Sequence, residues 1–282
     1  MYGQLTMRSW LGAILLCACA APAVALDSGL GAGVELIDPQ VLRVCADPNN
    51  LPYSNQKLEG FENRLAEFLA GKLGKSVSYS YFPMVTGFVR STLGAFKCDV
   101  ILGYPQGDQL VQNTNAYYRT AYTLVYKPGH GLDGLESLAD PRLKDKRIGI
   151  VAGTPPATIM ARTGLLAKAK SYQLMIDTRF ESTSQAMIAD LKSGEIDVGA
   201  LWGPIAGYYA KQSAEPLVVA PLLHEGKRAH MVFRITMGVR ASDQEWKREL
   251  NRLIKDNQAE INAILLDFGV PLLDEQDRPI GR

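Results

Sequence analysis

An α/β protein of two lobes is the fold this sequence predicts, and three observations lead to it. The 282 residues exceed one typical domain and fall short of three. Short apolar strand-like runs alternate with helical stretches in two successive blocks, which is the sequence form of parallel sheets with covering helices. A last long strand-like run over 231–239 leads into a helix; its return to the first block gives two crossings between lobes, a hinge and a cleft. With 47% apolar and 21% charged residues, the composition is that of a globular protein, neither membrane-like nor disordered.

Taken in order, residues 1–25 carry Arg8, the apolar run Trp10 to Leu16 and the small-residue site Ala23-Val24-Ala25. This is the pattern of a secretory signal peptide cleaved near Leu26, and it predicts a periplasmic location. Leu16-Cys17-Ala18-Cys19 has the form of a lipoprotein cleavage site, but Cys17 within it and the better site at Ala25 make lipidation the weaker reading. The leader is too short to span a bilayer, and no later run reaches the roughly 20 apolar residues of a membrane-crossing helix. Its loss removes one of 30 basic residues, Arg8, and none of the 29 acids, leaving 29 of each. A chain without basic excess is not built for nucleic acid.

Residues 26–37 are Gly-rich and aperiodic, a flexible lead-in. The first lobe is expected over 38–125 plus 230–282, the second over 126–229. Val41-Leu42-Arg43-Val44-Cys45-Ala46 reads as a buried strand that opens into the turn residues Asp47-Pro48-Asn49-Asn50. Phe61, Leu65, Phe68, Leu69 and Leu73 lie on one helical stripe that Gly74 closes. Val77 to Phe82 is a second strand, 88–95 a helix, and Val100-Ile101-Leu102-Gly103 a third strand. Tyr122 to Tyr126 has strand composition and enters a Gly/Pro-marked loop, Lys127 to Gly134, the expected crossing.

The pattern then repeats. Arg147 to Val151 reads as a strand, Ala157 onward as a helix, and Leu174-Met175-Ile176 as a strand. Ser182 caps a helix through Leu191 that Gly194 ends, and Ile196-Asp197-Val198 is the next strand. Met231 to Val239 is a long strand, and one helix from Asp243 to Phe268 follows, stopped by Gly269 and Pro271.

Outside the leader only Cys45 and Cys98 remain, and in an oxidising compartment such a pair predicts a disulfide. Strand geometry pulls the other way. Cys45 closes its strand and Cys98 opens its own, so parallel neighbours hold them several residues apart at about 3.3 Å each, unless a bulge or another register intervenes.

Enzyme and metal signatures do not emerge. His224 and His230 are six apart and His130 stands alone, neither pattern being a zinc helix or a Cys/His cluster. Leu73-Gly74-Lys75-Ser76 ends like a P-loop, but Leu69 stands where that motif needs glycine. No nucleophile elbow or dinucleotide fingerprint occurs. No cofactor is therefore expected, and no catalytic residues are assigned.

The leader, the two α/β blocks, the segment Asp47 to Ser54 and Gly60-Phe61-Glu62-Asn63 together resemble the periplasmic solute-binding proteins of amino-acid ABC importers over residues 38–270. The resemblance implies the type II two-lobed periplasmic binding protein fold. In that family an arginine beyond the third strand, amides at a helix start in the second lobe and a later acid hold the amino acid. Here Tyr104-Pro105-Gln106-Gly107-Asp108 supplies no cation. Gly153-Thr154-Pro155-Pro156 has two residues without an N–H, and Trp202-Gly203-Pro204 stands where the acid belongs. An ordinary amino acid is thus a poor ligand for this chain.

Four stretches are similar to the solute-binding-like proteins associated with pyrroloquinoline quinone (PQQ) alcohol dehydrogenases. They are Gly87-Phe88-Val89-Arg90-Ser91-Thr92-Leu93, Cys98 to Pro105, Tyr117-Tyr118-Arg119 and Trp202 to Tyr209. The resemblance implies a non-enzymatic accessory of periplasmic methanol oxidation that engages a PQQ methanol dehydrogenase and assists its activation. A receptor for a small non-amino-acid ligand of an importer is the alternative. The candidate ligand- or partner-binding residues are Asp47, Asn49, Asn50 and Tyr53 beyond a strand's carboxyl end, together with Arg90, Tyr104, Arg119, Thr154 and Trp202. Their plainer roles are turn formation for the first group, solvated or paired arginines, and packing for the aromatics.

Overall fold

The computed structural model describes residues 35–226 and 229–281. The expected leader and most of the lead-in lie outside these residues. The first strands are β1 (Val41–Ala46), β2 (Asn49–Asn50) and β3 (Ser54–Asn55), followed by α1 (Phe61–Leu73), β4 (Ser76–Tyr81), α2 (Phe88–Ser91), β5 (Val100–Pro105) and the 15-residue β6 (Gln112–Tyr126). Then come β7 (Ile148–Val151), α3 (Pro155–Thr163), β8 (Lys170–Tyr172), α4 (Thr183–Ser193), β9 (Val198–Trp202), α5 (Gly203–Gln212) and β10 (Val218–Pro221). Last are β11 (Val232–Val239), α6 (Gln244–Asp256) and α7 (Gln258–Asp267).

The strands run in the order β4-β1-β5-β11-β6-β9-β7-β8, with β10 also on β6. β1 lies parallel between β4 and β5, and β7 parallel between β8 and β9, as crossover helices require. β6 is shared by both lobes. Its residues from Gln112 to Ala121 pair antiparallel with β11, while Tyr122 to Tyr126 pair with β9 on one side and, from Thr123, with β10 on the other. The change of partner falls inside this strand, so the expected crossing loop, Lys127 to Gly134, comes after it.

Each part of the sheet buries its own core. Leu42, Phe61, Leu65, Leu102, Tyr117, Met237, Leu250 and Ile261 form one cluster. Leu124, Tyr126, Ile148, Ile150 and Val198 form a second, and Met187, Leu191, Ile196 and Leu201 pack on the opposite face of the same strands. At the junction, Gly203 lies so near the Ala121 carbonyl that a Cβ has no room, which fixes glycine beside Trp202.

Several elements differ from the sequence reading. The helix expected over 88–95 ends at Ser91, and the strand expected from Tyr122 begins at Gln112, where β6 first pairs with β11. Leu174-Met175-Ile176 is not a strand. The strand there is β8, which pairs only with β7 and stops where that partner stops, at Val151 opposite Tyr172. Leu174 and Met175 are then exposed loop residues. The next strand begins at Val198, two residues later than expected at its start, because that is where β6 and β7 flank it. The last helix is two. Asn257 adopts a non-helical φ of −129°, and its side-chain amide donates to the Leu253 carbonyl at 2.9 Å, competing with the helical backbone.

Cys45 and Cys98 form a disulfide with a Cα–Cα distance of 5.3 Å. The geometric objection fails because Cys98 precedes β5 and lies on the turn leading into it, while Cys45 pairs with Ile101. Beside it, Asp99 is 1% exposed and takes hydrogen bonds from Arg43 at 2.6 and 2.7 Å and from Arg240 at 2.7 Å. Arg240 also donates to the Cys98 carbonyl, so this paired charge cluster fixes the same turn.

Candidate functional site

The interlobe site is built outward from the carboxyl end of β1. Asp47, fully buried, is held by the backbone on both sides: its Oδ1 accepts from Asn49 N at 2.9 Å and its Oδ2 from Met84 N at 2.6 Å. The Ser54 hydroxyl accepts from Asp47 N and donates to its carbonyl, folding the 47–55 loop back on itself. Next, the first amides of α1 are taken up by that loop, Phe61 N donating to Pro52 O and Glu62 N to Tyr53 O, both at 2.8 Å. The loop therefore presents Asn49, Asn50 and Tyr53 toward the second lobe as a set.

That lobe supplies the opposite wall. Thr154 precedes the two prolines that start α3, and its hydroxyl donates to Val151 O at 2.7 Å, so it is turned into its own loop. Trp202, the last residue of β9 before α5, meets Tyr122 of β6 at a ring-centroid distance of 5.0 Å and Phe233 of β11 at 5.4 Å, a cluster of aromatic edges and faces. Burial pushes the Tyr122 hydroxyl up to about 12 and the Tyr53 hydroxyl well above its ordinary value, so both phenols stay neutral. Segment 173–182 closes over the front. The Thr178 hydroxyl reaches Asp47 Oδ1 at 2.8 Å and Oδ2 at 3.0 Å, and Asn49 Nδ2 donates to Thr178 O at 2.7 Å.

Inside these walls lies a cavity of about 190 Å³. Asn49, Asn50, Tyr53, Thr154 and Trp202 line it, joined by Tyr122, Met84, Leu174, Ile176 and Thr178, which the sequence reading did not single out. Asp47 sits behind the wall and holds it together. The other candidates are elsewhere. Arg90 is exposed on α2 and does not line the cavity. Tyr104 on β5 packs with the apolar group around the disulfide. Arg119 pairs with Glu275 and Asp277 on the C-terminal segment.

Behind the loop lies a carboxyl group the sequence reading left unassigned. Glu62 is 3% exposed, its Oε1 has no hydrogen-bond partner, and it packs where a side chain on Gly103 would otherwise go. Burial, and secondarily the charge of Asp47, push its pKa up to about 8, so it is protonated at neutral pH. Its one visible signal was position, directly after the apolar Phe61 in the Gly60-Phe61-Glu62-Asn63 run.

Among the described residues, no group of three or more His, Cys, Asp or Glu side chains is placed to hold a metal ion. Nor is any helix long and apolar enough to cross a membrane.

No family model matches the chain. The crystal structure of periplasmic binding protein XoxJ from Methylobacterium extorquens AM1 is 42% identical, with a TM-score of 0.71, over 83% of this chain and 100% of that one. Protein MoxJ of Methylorubrum extorquens is 28% identical over 275 residues, 92% of this chain and 91% of the relative. An ancestral cationic amino-acid solute-binding protein, AncCDT-1, superposes with a TM-score of 0.65 at 22% identity over 81% of this chain and 95% of that one, which shows the shared fold. The architecture is thus the α/β periplasmic binding protein fold, similar to the type II solute-binding proteins, and the chain belongs to the family of periplasmic binding proteins that includes XoxJ and MoxJ.

Proposed function

We propose that this chain is a non-enzymatic periplasmic accessory protein that associates with a PQQ-dependent methanol or alcohol dehydrogenase and assists its activation or maturation. The observation that carries this reading is the match to XoxJ along that protein's whole length at 42% identity. It accords with the four sequence stretches similar to the dehydrogenase-associated proteins. The family's binding-protein character supports a role without catalysis. The amino-acid anchors of importer receptors are also missing here: no arginine lies in the 106–111 segment between β5 and β6, and Trp202 stands where an acid would meet an ammonium group.

The cavity favours a second reading, a solute receptor for a small molecule that is not an amino acid. One experiment separates the two: native mass spectra of the mature protein alone and mixed with metal-free PQQ methanol dehydrogenase. A mixed complex with no retained solute supports the accessory role. A retained solute with no complex replaces it with the receptor role.

A further inference from the structure

We propose that the C-terminal segment, residues 268–281, is a latch on the interlobe hinge, and that Gly203 and Gly207 of α5 form the notch in which it lies. The chain then holds its lobes at one angle and meets a partner as a preformed surface, without the hinge closure of a solute receptor. The inference does not depend on the dehydrogenase reading, since it concerns only how the lobes are held.

Gly203 and Gly207 are four residues apart, so they lie on one face of α5 and leave bare backbone there. The chain leaving α7 fills that space. A Cβ on Gly207 would overlap the Gly269 carbonyl, one on Gly269 would come within 2.6 Å of the Gly207 carbonyl oxygen, and one on Gly203 within 2.9 Å of Pro271 Cγ. Glycine at 207 and 269 is what lets the two backbones touch. In a helix interior glycine is less favourable than alanine, and at Gly207 the contact with the tail offsets that loss. Around it, Phe268 stacks on Tyr208 with ring planes 17° apart, and Lys211 Nζ donates to the Asp267 carbonyl. Ala206 of α5 packs in the core of the second lobe, and Ile261 and Leu265 of α7 in that of the first, so these contacts join the lobes.

The same segment is bonded to β6 at the hinge itself. Leu273 N donates to Arg119 O at 3.0 Å, and the Thr120 hydroxyl donates to Pro271 O at 2.8 Å. These residues stand just ahead of the exchange of partners, which falls between Ala121 and Tyr122. The tail then folds back on itself, Asp274 N donating to Arg278 O and Ile280 N to Leu272 O, both at 2.9 Å, and Asp277 pairs with Arg119. The tail is therefore anchored to the first lobe on one side of the exchange point and touches α5 on the other. Swinging the second lobe about that point either draws Gly207 away from Gly269 or drives it into the carbonyl, and both movements break the contact.

The test measures the interlobe distance in solution. Nitroxide labels are attached to the mature protein at Glu67→Cys on α1 and Arg162→Cys on α3, exposed positions on opposite lobes, while Cys45 and Cys98, joined in the disulfide, do not react. Pulsed electron spin resonance is expected to give one narrow distance distribution for the latched chain. Two variants release the latch by different means: Gly207→Ala forces the backbones apart, and Thr120→Val with Lys211→Met removes two bonds without adding bulk at the notch. Each is expected to widen the distribution at least twofold, with the circular-dichroism melt confirming folded protein. Gly71→Ala is the control, since a Cβ there meets nothing within 4 Å, and it should leave the distribution unchanged. A broad or two-peaked distribution in the parent, equal widening in Gly71→Ala, or a parent-like width in either folded latch variant overturns the latch. If Gly207→Ala does not fold, the Thr120→Val/Lys211→Met variant alone decides.

Discussion

The hydroxyl of Thr178 sits across both oxygens of the Asp47 carboxylate, at 2.8 and 3.0 Å, and so ties segment 173–182 of the second lobe to the β1 loop of the first. A buried carboxylate that collects donors from two lobes is worth more to the structure than an exposed one, because each hydrogen bond to a charged group contributes about 1.5–3 kcal/mol. Asp47→Ala is expected to lower unfolding stability by about 3 kcal/mol in urea titrations. Thr178→Ala should cost about 1–2 kcal/mol or less and raise amide hydrogen exchange across 173–182 before any other segment. Unaltered exchange there would show that the loop is held by something else.

Glu62 gives the stability a pH dependence of definite sign. Its carboxyl titrates near 4.5 when solvated and near 8 in the fold, so between these values the folded chain holds a proton that the unfolded chain has released. Its protonated burial is fully tolerated below about 4.5, and stability falls as pH rises toward and through 8, by at most about 1.4 kcal/mol per pH unit from this group. Glu62→Gln keeps the shape without the charge. The variant should melt higher than the parent at pH 9 and equally at pH 4; parallel melting curves at both values would contradict the assignment.

The disulfide joins cysteines 53 residues apart, and closing a loop of that length restricts the unfolded chain by about 4 kcal/mol in the chain-entropy view. A Cys45→Ala/Cys98→Ala double variant is expected to lose about 2–4 kcal/mol of stability, measured by the guanidinium midpoint at unchanged slope. Because the Arg43–Asp99–Arg240 cluster fixes the same turn, the variant should still fold, with native far-ultraviolet circular dichroism.

Arg119 on β6 and Arg234 on β11 are direct cross-strand partners, an unfavourable pairing of like charges close to the point where β6 changes partners. Glu275 contacts both guanidinium groups, and Asp277 adds a second contact to Arg119. Glu275→Gln is expected to cost about 1 kcal/mol or less, since Glu275 is 64% exposed. The deficit should shrink in 1 M salt, where the repulsion between the arginines is screened. A salt-independent loss would point to packing instead of charge.

Much of this was readable from local pattern. Phe61, Leu65 and Leu69 mark α1 because an amphipathic helix writes its buried face at 3.6-residue spacing, and Gly74 ends it in the left-handed conformation that glycine favours. The short apolar runs marked most of the sheet strands, though not their ends. Those ends follow partners: β8 stops with β7, and Leu174-Met175-Ile176, strand-like in composition, has no neighbour to pair with. Asn49, Asn50 and Tyr53 were singled out because loops after strand ends face the cleft in open α/β folds, and Thr154 and Trp202 because they stand where the amino-acid receptors hold their ligand; all five line the cavity.

The sequence by itself determined the α/β elements, the cysteine pair and the missing amino-acid anchors, because residue spacing and the absence of a side chain are local facts. Tertiary structure alone decided what meets across the lobes. No spacing rule connects Asp47 to Thr178, 131 residues away, and Glu62 looks like an ordinary charged residue at a helix start until the close approach of Gly103 on β5 and the packing of the first lobe remove its water. Those contacts depend on where β6 exchanges one set of partners for the other. That exchange arises from the free energy of the whole sheet and is not encoded in any single segment.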